Sequence, residues 1–306
     1  MTVHDRPPVR SALFVPANRW PWIEKAPEYG ADTLVLDLED ATPVAEKSAA
    51  RDVVAAALPG LRQRGQGVWI RVNDLSTGLM ADDLLACCRP GTDAIVVPKV
   101  EGPEAIREVD RLISYAEGAN GVPLGTIGIV PLLETAGAIH GAYDIFRASS
   151  RLCYGGSIAS SKGDVEHSVG FRWSSSFTET FVFRSSLLVA ARAAGIENPM
   201  TGLITEVDPD LVRALCVESR GLGYDGMYVI HPTHVPIANE IFGPTEGEYG
   251  WAKDALAAYT SAADDGRGTL LDSNGRLLDI AHVKTARKLV VAYERVHGQT
   301  GAGLNG

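Results

Sequence analysis

Short apolar runs bounded by polar or turn residues recur along the chain, and between them apolar and charged positions follow helical spacing. In the run at 33–38, TLVLDL, only Asp37 interrupts strand-forming residues, and the run leads into a cluster of acids, Asp37, Glu39 and Asp40. Such a run reads as a strand buried on both faces, as in parallel sheets. The same character recurs at 11–17, 68–74, 93–100, 126–135, 151–156, 200–205 and 225–232. Helical stretches lie between them at 20–30, 44–58, 80–88, 103–117, 138–148, 180–194 and 209–221. Strict alternation of strand and helix predicts a parallel sheet, and eight such units predict an α/β fold of the TIM (β/α)8 barrel type rather than an open sheet.

Past residue 243 the pattern changes. A link containing Gly and Pro leads to a helix at 251–263, then to a turn at Ser273-Asn274-Gly275 between two short apolar pieces, and then to a last helix at 280–297. The reading is a catalytic barrel over 1–242 and a C-terminal helical extension over 243–306. An extension of ~60 residues is expected not to bury a core of its own. It should therefore pack on its own barrel or, in a homo-oligomer such as a trimer or hexamer, on a neighbouring subunit.

Composition narrows the function classes. With 45% hydrophobic and 22% charged residues, the chain can fill a substantial core. A formal charge of -10, from 38 acids against 28 Lys and Arg, argues against a broad basic face for nucleic acid. An anionic substrate would need a local Arg or Lys cluster. The cysteines at 87, 88, 153 and 216 have no CxxC spacing, and read as ordinary thiols of a reducing compartment. The opening MTVHDRPPVR has no signal-peptide core, and no segment reaches the ~18 apolar residues of a membrane span, so a cytoplasmic location is expected.

Barrels of this kind carry their chemistry at the C-terminal ends of the strands. Those ends deliver Asp37, Glu39 and Asp40; Arg71 and Asn73; Lys99; Glu134 and Thr135; and a loop holding Lys162 and Asp164. Glu134 and Asp164, with no His or Cys cluster beside them, suit a hard cation such as magnesium that keeps waters for a substrate. Arg71 offers a fork for a carboxylate. Each has a plain alternative: Glu134 as an ion-pair partner, Arg71 as the neutraliser of the acids after the second strand, Asp40 as a helix cap. Lys99 is placed for a Schiff base in a metal-free lyase. His231 and His234 have a spacing seen in zinc sites, but with no third ligand they read as packing of the last strand. GGSIASSKG lacks the ending of a phosphate loop.

The motifs RSALFVPA, TLVLDLEDA followed by Lys47 and Arg51, IRVN, VVPKV, PLLET, the helix from Arg184 and the segment GYDGMYVIHPTHVPIANEIFGP together resemble the citrate lyase beta subunit family. Its relatives are the malyl-CoA and citramalyl-CoA lyases and the HpcH/HpaI aldolases. The resemblance implies a TIM barrel, a Mg2+ ion held by a Glu and an Asp, and cleavage of a 3-hydroxyacyl-CoA to a 2-oxo acid and an acyl-CoA. Within it Glu134 is the metal Glu. The family's Asp would fall where Ile158 stands, whereas Asp164 keeps the family's interval to Gly170, so an insertion near 157–162 makes Asp164 the metal Asp. Arg71 becomes the substrate carboxylate clamp and Glu39 a group orienting water or base. Asp37 becomes structural, and Asp279 an acid supplied by the C-terminal segment, often from a neighbouring subunit. His167 and Trp173 lie in the altered loop. Two other readings stay open: a class II aldolase acting on free 2-oxo acids, and a non-catalytic subunit that binds an acyl carrier.

Overall fold

The computed structural model describes residues 6–156, 162–202, 205, 207–264, 270–271 and 277–297. They divide into two compact units, Met1–Phe242 and Gly243–Gly306. The first unit runs β1 (Ser11–Pro16), α1 (Trp20–Lys25), β2 (Thr33–Asp37), α2 (Lys47–Gln63), β3 (Gly67–Arg71), α3 (Met80–Cys87), β4 (Ala94–Val97), α4 (Pro103–Ala119) and β5 (Gly128–Pro131). It continues α5 (Ala136–His140), α6 (Ala142–Phe146), β6 (Tyr154–Gly156), α7 (Asp164–Val169), α8 (Phe181–Ala193), β7 (Asn198–Thr201), α9 (Pro209–Leu222), β8 (Gly226–Val229) and α10 (His234–Phe242).

The eight strands are parallel in the order β5-β4-β3-β2-β1-β8-β7-β6, and two isolated bridges, Ile129↔Leu152 and Leu132↔Gly156, join β5 to β6 and bring the sheet round into a barrel. Alternation along each strand sorts its side chains. Ala12, Val35, Trp69, Val96, Val130, Tyr154, Met200 and Tyr228 form the inner cluster. Their outward neighbours Leu13, Leu34, Leu36, Ile70, Ile95 and Ile129 belong to the cluster between barrel and helices. The barrel is narrow enough that Trp69 and Tyr154 touch inside it, ring centres 4.6 Å apart. At Gly156 the β7 backbone comes so close that a Cβ would lie 1.9 Å from the Met200 carbonyl oxygen, so only glycine fits. Arg151, beside β6, ties α4 to the barrel through Asp110 at 2.6 Å and Glu117 at 2.7 Å.

The helix expected at 138–148 is two short helices meeting at Gly141. The one expected to stop at 58 continues through Pro59 to Gln63. In the second unit α11 (Glu246–Asp264) is followed by β9 (Leu270–Leu271), which pairs antiparallel with β10 (Leu277–Leu278), and then by α12 (Ile280–Val296). The turn expected at Ser273-Asn274-Gly275 lies outside the described residues. Contrary to expectation, this short unit has a cluster of its own: Ala252, Ala255, Leu278, Ala286 and Val290 are buried together, and Tyr249 stacks on Tyr293 at 4.2 Å. Among the described residues no helix is long and apolar enough to cross a membrane.

Candidate functional site

Strand parity and register assemble the first part of the site. Val35 and Trp69 face inward, so Asp37 and Arg71, two positions further on, do too, and the β2–β3 register sets these two residues side by side. Arg71 donates from Nε to Asp37 Oδ1 at 2.7 Å and from Nη2 to Oδ2 at 2.6 Å. Asp37 also accepts the backbone N–H of Glu39 at 2.9 Å and of Ala41 at 3.1 Å, which folds the DLED turn around it. Buried Lys47 fixes that turn from below, donating to the Leu38 and Glu39 carbonyls at 2.8 Å each and contacting Asn73 Oδ1. Asn73 in turn donates to Asp83, which receives Arg51 Nε at 2.7 Å. Asp83 had no signal in the sequence; it is an acid in a helix whose partners are set only by the fold.

The fork of Arg71 is therefore committed to Asp37, so of the two readings the sequence offered for this fork, a clamp for a carboxylate and a neutraliser of the acids after the second strand, its contacts within the chain match the second. What faces Glu39 and Asp40 is the Nη1 edge, 3.0 Å and 3.7 Å away, with the guanidinium over the Phe14 ring at 4.9 Å. Burial opposes the Arg71 charge, but the hydrogen bonds and charge of Asp37, with Glu39 and Asp40, more than offset this and raise its pKa. Glu39 sits between two cations, with Lys99 Nζ 3.0 Å from its other oxygen. Both Glu39 oxygens are buried and neither has a well-aligned hydrogen bond. Burial lifts the Glu39 carboxyl above its usual range, against the pull of Arg71 and Lys99.

Lys99 departs from strand geometry. Its backbone is left-handed, with φ 50, a conformation that costs a non-glycine residue about 1 kcal/mol or more. The turn aims its N–H at Glu134 Oε2, 2.9 Å away, and brings its ammonium to Glu39. Burial lowers the Lys99 pKa, but Glu39, Asp40 and Asp164 outweigh it and hold the amine charged. A lysine held as an ammonium is a poor nucleophile, which speaks against the Schiff-base reading. Glu134 is only 5% exposed, and its carboxyl is pushed up to about 7, first by burial and then by Glu39 and Asp164.

A cavity of about 780 Å³ opens at these strand ends and is lined by Asp37, Asp40, Arg71, Glu134 and Asp164, with Phe14, Trp22, Tyr29 and His231 on its other walls. The expected site residues Arg71, Glu134 and Asp164 thus meet in one space, with Glu39 buried beside Arg71. Among the described residues no three His, Cys, Asp or Glu side chains form a metal cage. Two carboxylates lining one cavity, with Glu134 raised in pKa first by burial and then by the neighbouring acids Glu39 and Asp164, fit a divalent cation bound mostly by oxygen and water.

Asp164 opens α7, directly after Gly163; the expected insertion falls mainly on 157–161, outside the described residues. Trp173, partly buried, packs against Phe177 of the core, ring centres 5.7 Å apart. Asp279 lies in the second unit, 2.8 Å from His282 Nδ1. His234 is fully buried, as the packing reading requires, while His231 lines the cavity, which the sequence did not signal. A second cavity, about 760 Å³, lies at the opposite end of the strands near Val9, Thr33, Gly67 and Asp93. The chemistry of this fold belongs to the first.

The chain has relatives among known proteins. The chain is 32% identical over 281 residues to citrate lyase subunit beta of Leuconostoc mesenteroides subsp. cremoris, covering 92% of each. It is 30% identical over 294 residues to a (3S)-malyl-CoA thioesterase of Cereibacter sphaeroides, covering 96% of this chain and 97% of the relative. Among solved structures, a citrate lyase from Burkholderia xenovorans superposes with a TM-score of 0.79 at 19% identity, over 99% of this chain and 97% of the other. CitE of Mycobacterium tuberculosis, in complex with magnesium, acetoacetate and coenzyme A, superposes with a TM-score of 0.70 at 24% identity, over 94% and 98%. Residues 10–232 match the sequence profile described as HpcH/HpaI aldolase/citrate lyase, and the chain belongs to that family.

Proposed function

We propose that this chain is a magnesium-dependent carbon–carbon lyase that cleaves a 3-hydroxyacyl-CoA of the citryl-, citramalyl- or malyl-CoA class into a 2-oxo acid and an acyl-CoA. The observation that carries this reading is the cavity whose lining brings Glu134 and Asp164 together with Arg71. Glu134 and Asp164 would hold the cation, whose chemistry is to lower the pKa of a hydroxyl and offset developing negative charge. Arg71, its fork held by Asp37 and its Nη1 edge beside Glu39 and Asp40, supplies the positive charge that draws in the carboxylate leaving with the 2-oxo acid. Glu39, between Arg71 and Lys99, holds the two cations together at the strand ends. Asp279 is the acid of the second unit assigned to complete the site from a neighbouring copy, in keeping with a homo-oligomer.

The test is a magnesium titration by calorimetry of the wild type, Asp164→Asn and Glu134→Gln, with turnover of the three thioesters followed by mass spectrometry. Both variants should lose affinity for magnesium and at least about 100-fold in turnover, with little change in melting temperature. Equal magnesium affinity in all three proteins would refute the ligand assignment. Release of free CoA with no 2-oxo acid would replace the lyase by a thioesterase, the activity of the Cereibacter relative.

A further inference from the structure

Cleavage of a 3-hydroxyacyl thioester moves charge at two places. The hydroxyl loses its proton to a base and becomes the carbonyl of the 2-oxo acid. The electron pair of the broken carbon–carbon bond becomes an enolate on the thioester half, which then takes one proton at carbon to give the acyl-CoA. The strand ends of β2 to β6 supply groups for the first half. The enolate oxygen needs a hydrogen-bond donor of its own, and the cavity has one unassigned polar side chain on the wall after β8, His231.

The tautomer of His231 follows from its neighbours. Its Nδ1 lies 3.3 Å from the backbone N–H of Thr233 and 2.7 Å from Thr233 Oγ1. A backbone amide can only donate, so Nδ1 is the acceptor and the neutral ring carries its proton on Nε2. Nε2 has no partner among the described residues and is not among the polar atoms sealed from solvent. Behind this ring stands His234, 5.7 Å away between ring centres, with both nitrogens buried and without partners. His231 thus packs at a 53° tilt against His234 and also lines the cavity.

We propose that His231 is a catalytic residue whose Nε2–H donates to the thioester carbonyl oxygen, and whose bond strengthens as that oxygen gains the enolate charge. A neutral imidazole suits the task, since it polarises the carbonyl and gains most from the transition state. The proposal rests on the lyase reading above. It assigns a role on the thioester side, away from the two carboxylates.

The experiment compares wild type, His231→Ala and His231→Gln. On whichever of malyl-, citramalyl- or citryl-CoA the wild type cleaves best, His231→Ala should lower kcat about 100-fold, the effect of losing one oxyanion donor, with KM changed little. His231→Gln keeps a neutral N–H donor and should recover about tenfold of that loss. Infrared difference spectra with acetyl-CoA give a readout independent of turnover: the carbonyl stretch should move to lower frequency on binding wild type and should not on binding His231→Ala. A kcat for His231→Ala within about threefold of wild type, or an unchanged carbonyl shift, overturns the proposal while leaving the dependence on Glu134 and Asp164 standing. A wild type that cleaves none of the three overturns the lyase reading and this role together.

Discussion

Replacing Asp37 by Asn tests whether the pairing of β2 with β3 holds the site's arginine in place. Asp37 is almost wholly buried and accepts four hydrogen bonds, two from Arg71 and two from backbone N–H groups. Asparagine keeps one acceptor oxygen for the turn but presents an NH2 group to Arg71 Nη2, which stands at 2.6 Å, so donor meets donor. Losing one partner of a buried pair costs about 3–5 kcal/mol. Part of this returns because Arg71 keeps Glu39 at 3.0 Å and its stacking on Phe14, so a net loss of roughly 2–4 kcal/mol is expected. Urea unfolding of the wild type, Asp37→Asn, Arg71→Gln and the double variant measures it. The two residues should couple by about 1–3 kcal/mol. Purely additive losses, or a single-variant loss below about 0.5 kcal/mol, would show that Arg71 is held by something other than this fork.

Two further outcomes follow from the same groups. Borohydride added with pyruvate should trap no adduct, because Lys99 is held as an ammonium 3.0 Å from Glu39; a covalent adduct mapped to Lys99 by peptide mass spectrometry would reverse that conclusion. The Glu134 carboxyl, at about 7 in the fold against 4.5 ordinarily, keeps a proton that the unfolded chain has lost between those values. In chelator, then, its contribution to stability is whole below about pH 4.5 and is lost as the pH rises to about 7, on the order of 3 kcal/mol. Glu134→Gln should flatten that slope in urea titrations, and an unchanged slope would place the carboxyl outside the acid cluster.

The barrel was legible because its signal is periodic: apolar runs of strand length alternating with helical stretches leave few other folds. The candidate site was legible as far as strand ends go, which is why Glu134, Asp164 and Arg71 could be named together. Register was not legible. Nothing in the sequence says that Asp37 lies beside Arg71, so an open fork and a fork that neutralises the acids after the second strand could not be told apart. The same gap hid Asp83, whose partners Asn73 and Arg51 come from β3's end and α2. It also hid the pairing of Lys99 with Glu39, where a left-handed backbone turns a side chain inward that strand parity would send out. His231 was set aside with His234 because spacing alone cannot distinguish a buried ring from one on a cavity wall.

The join between β5 and β6 has a consequence for the site. Elsewhere around the barrel neighbouring strands share a continuous ladder, but here two isolated bridges make the contact. Glu134 follows one of these strands and Asp164 the other, while Asp37 and Arg71 sit on the continuous side. The two acids therefore follow the strands on either side of this join, and a ligand that engages both spans it. Where such a ligand favours a closed join, reciprocity requires that whatever closes the join strengthens the binding of that ligand by the same factor.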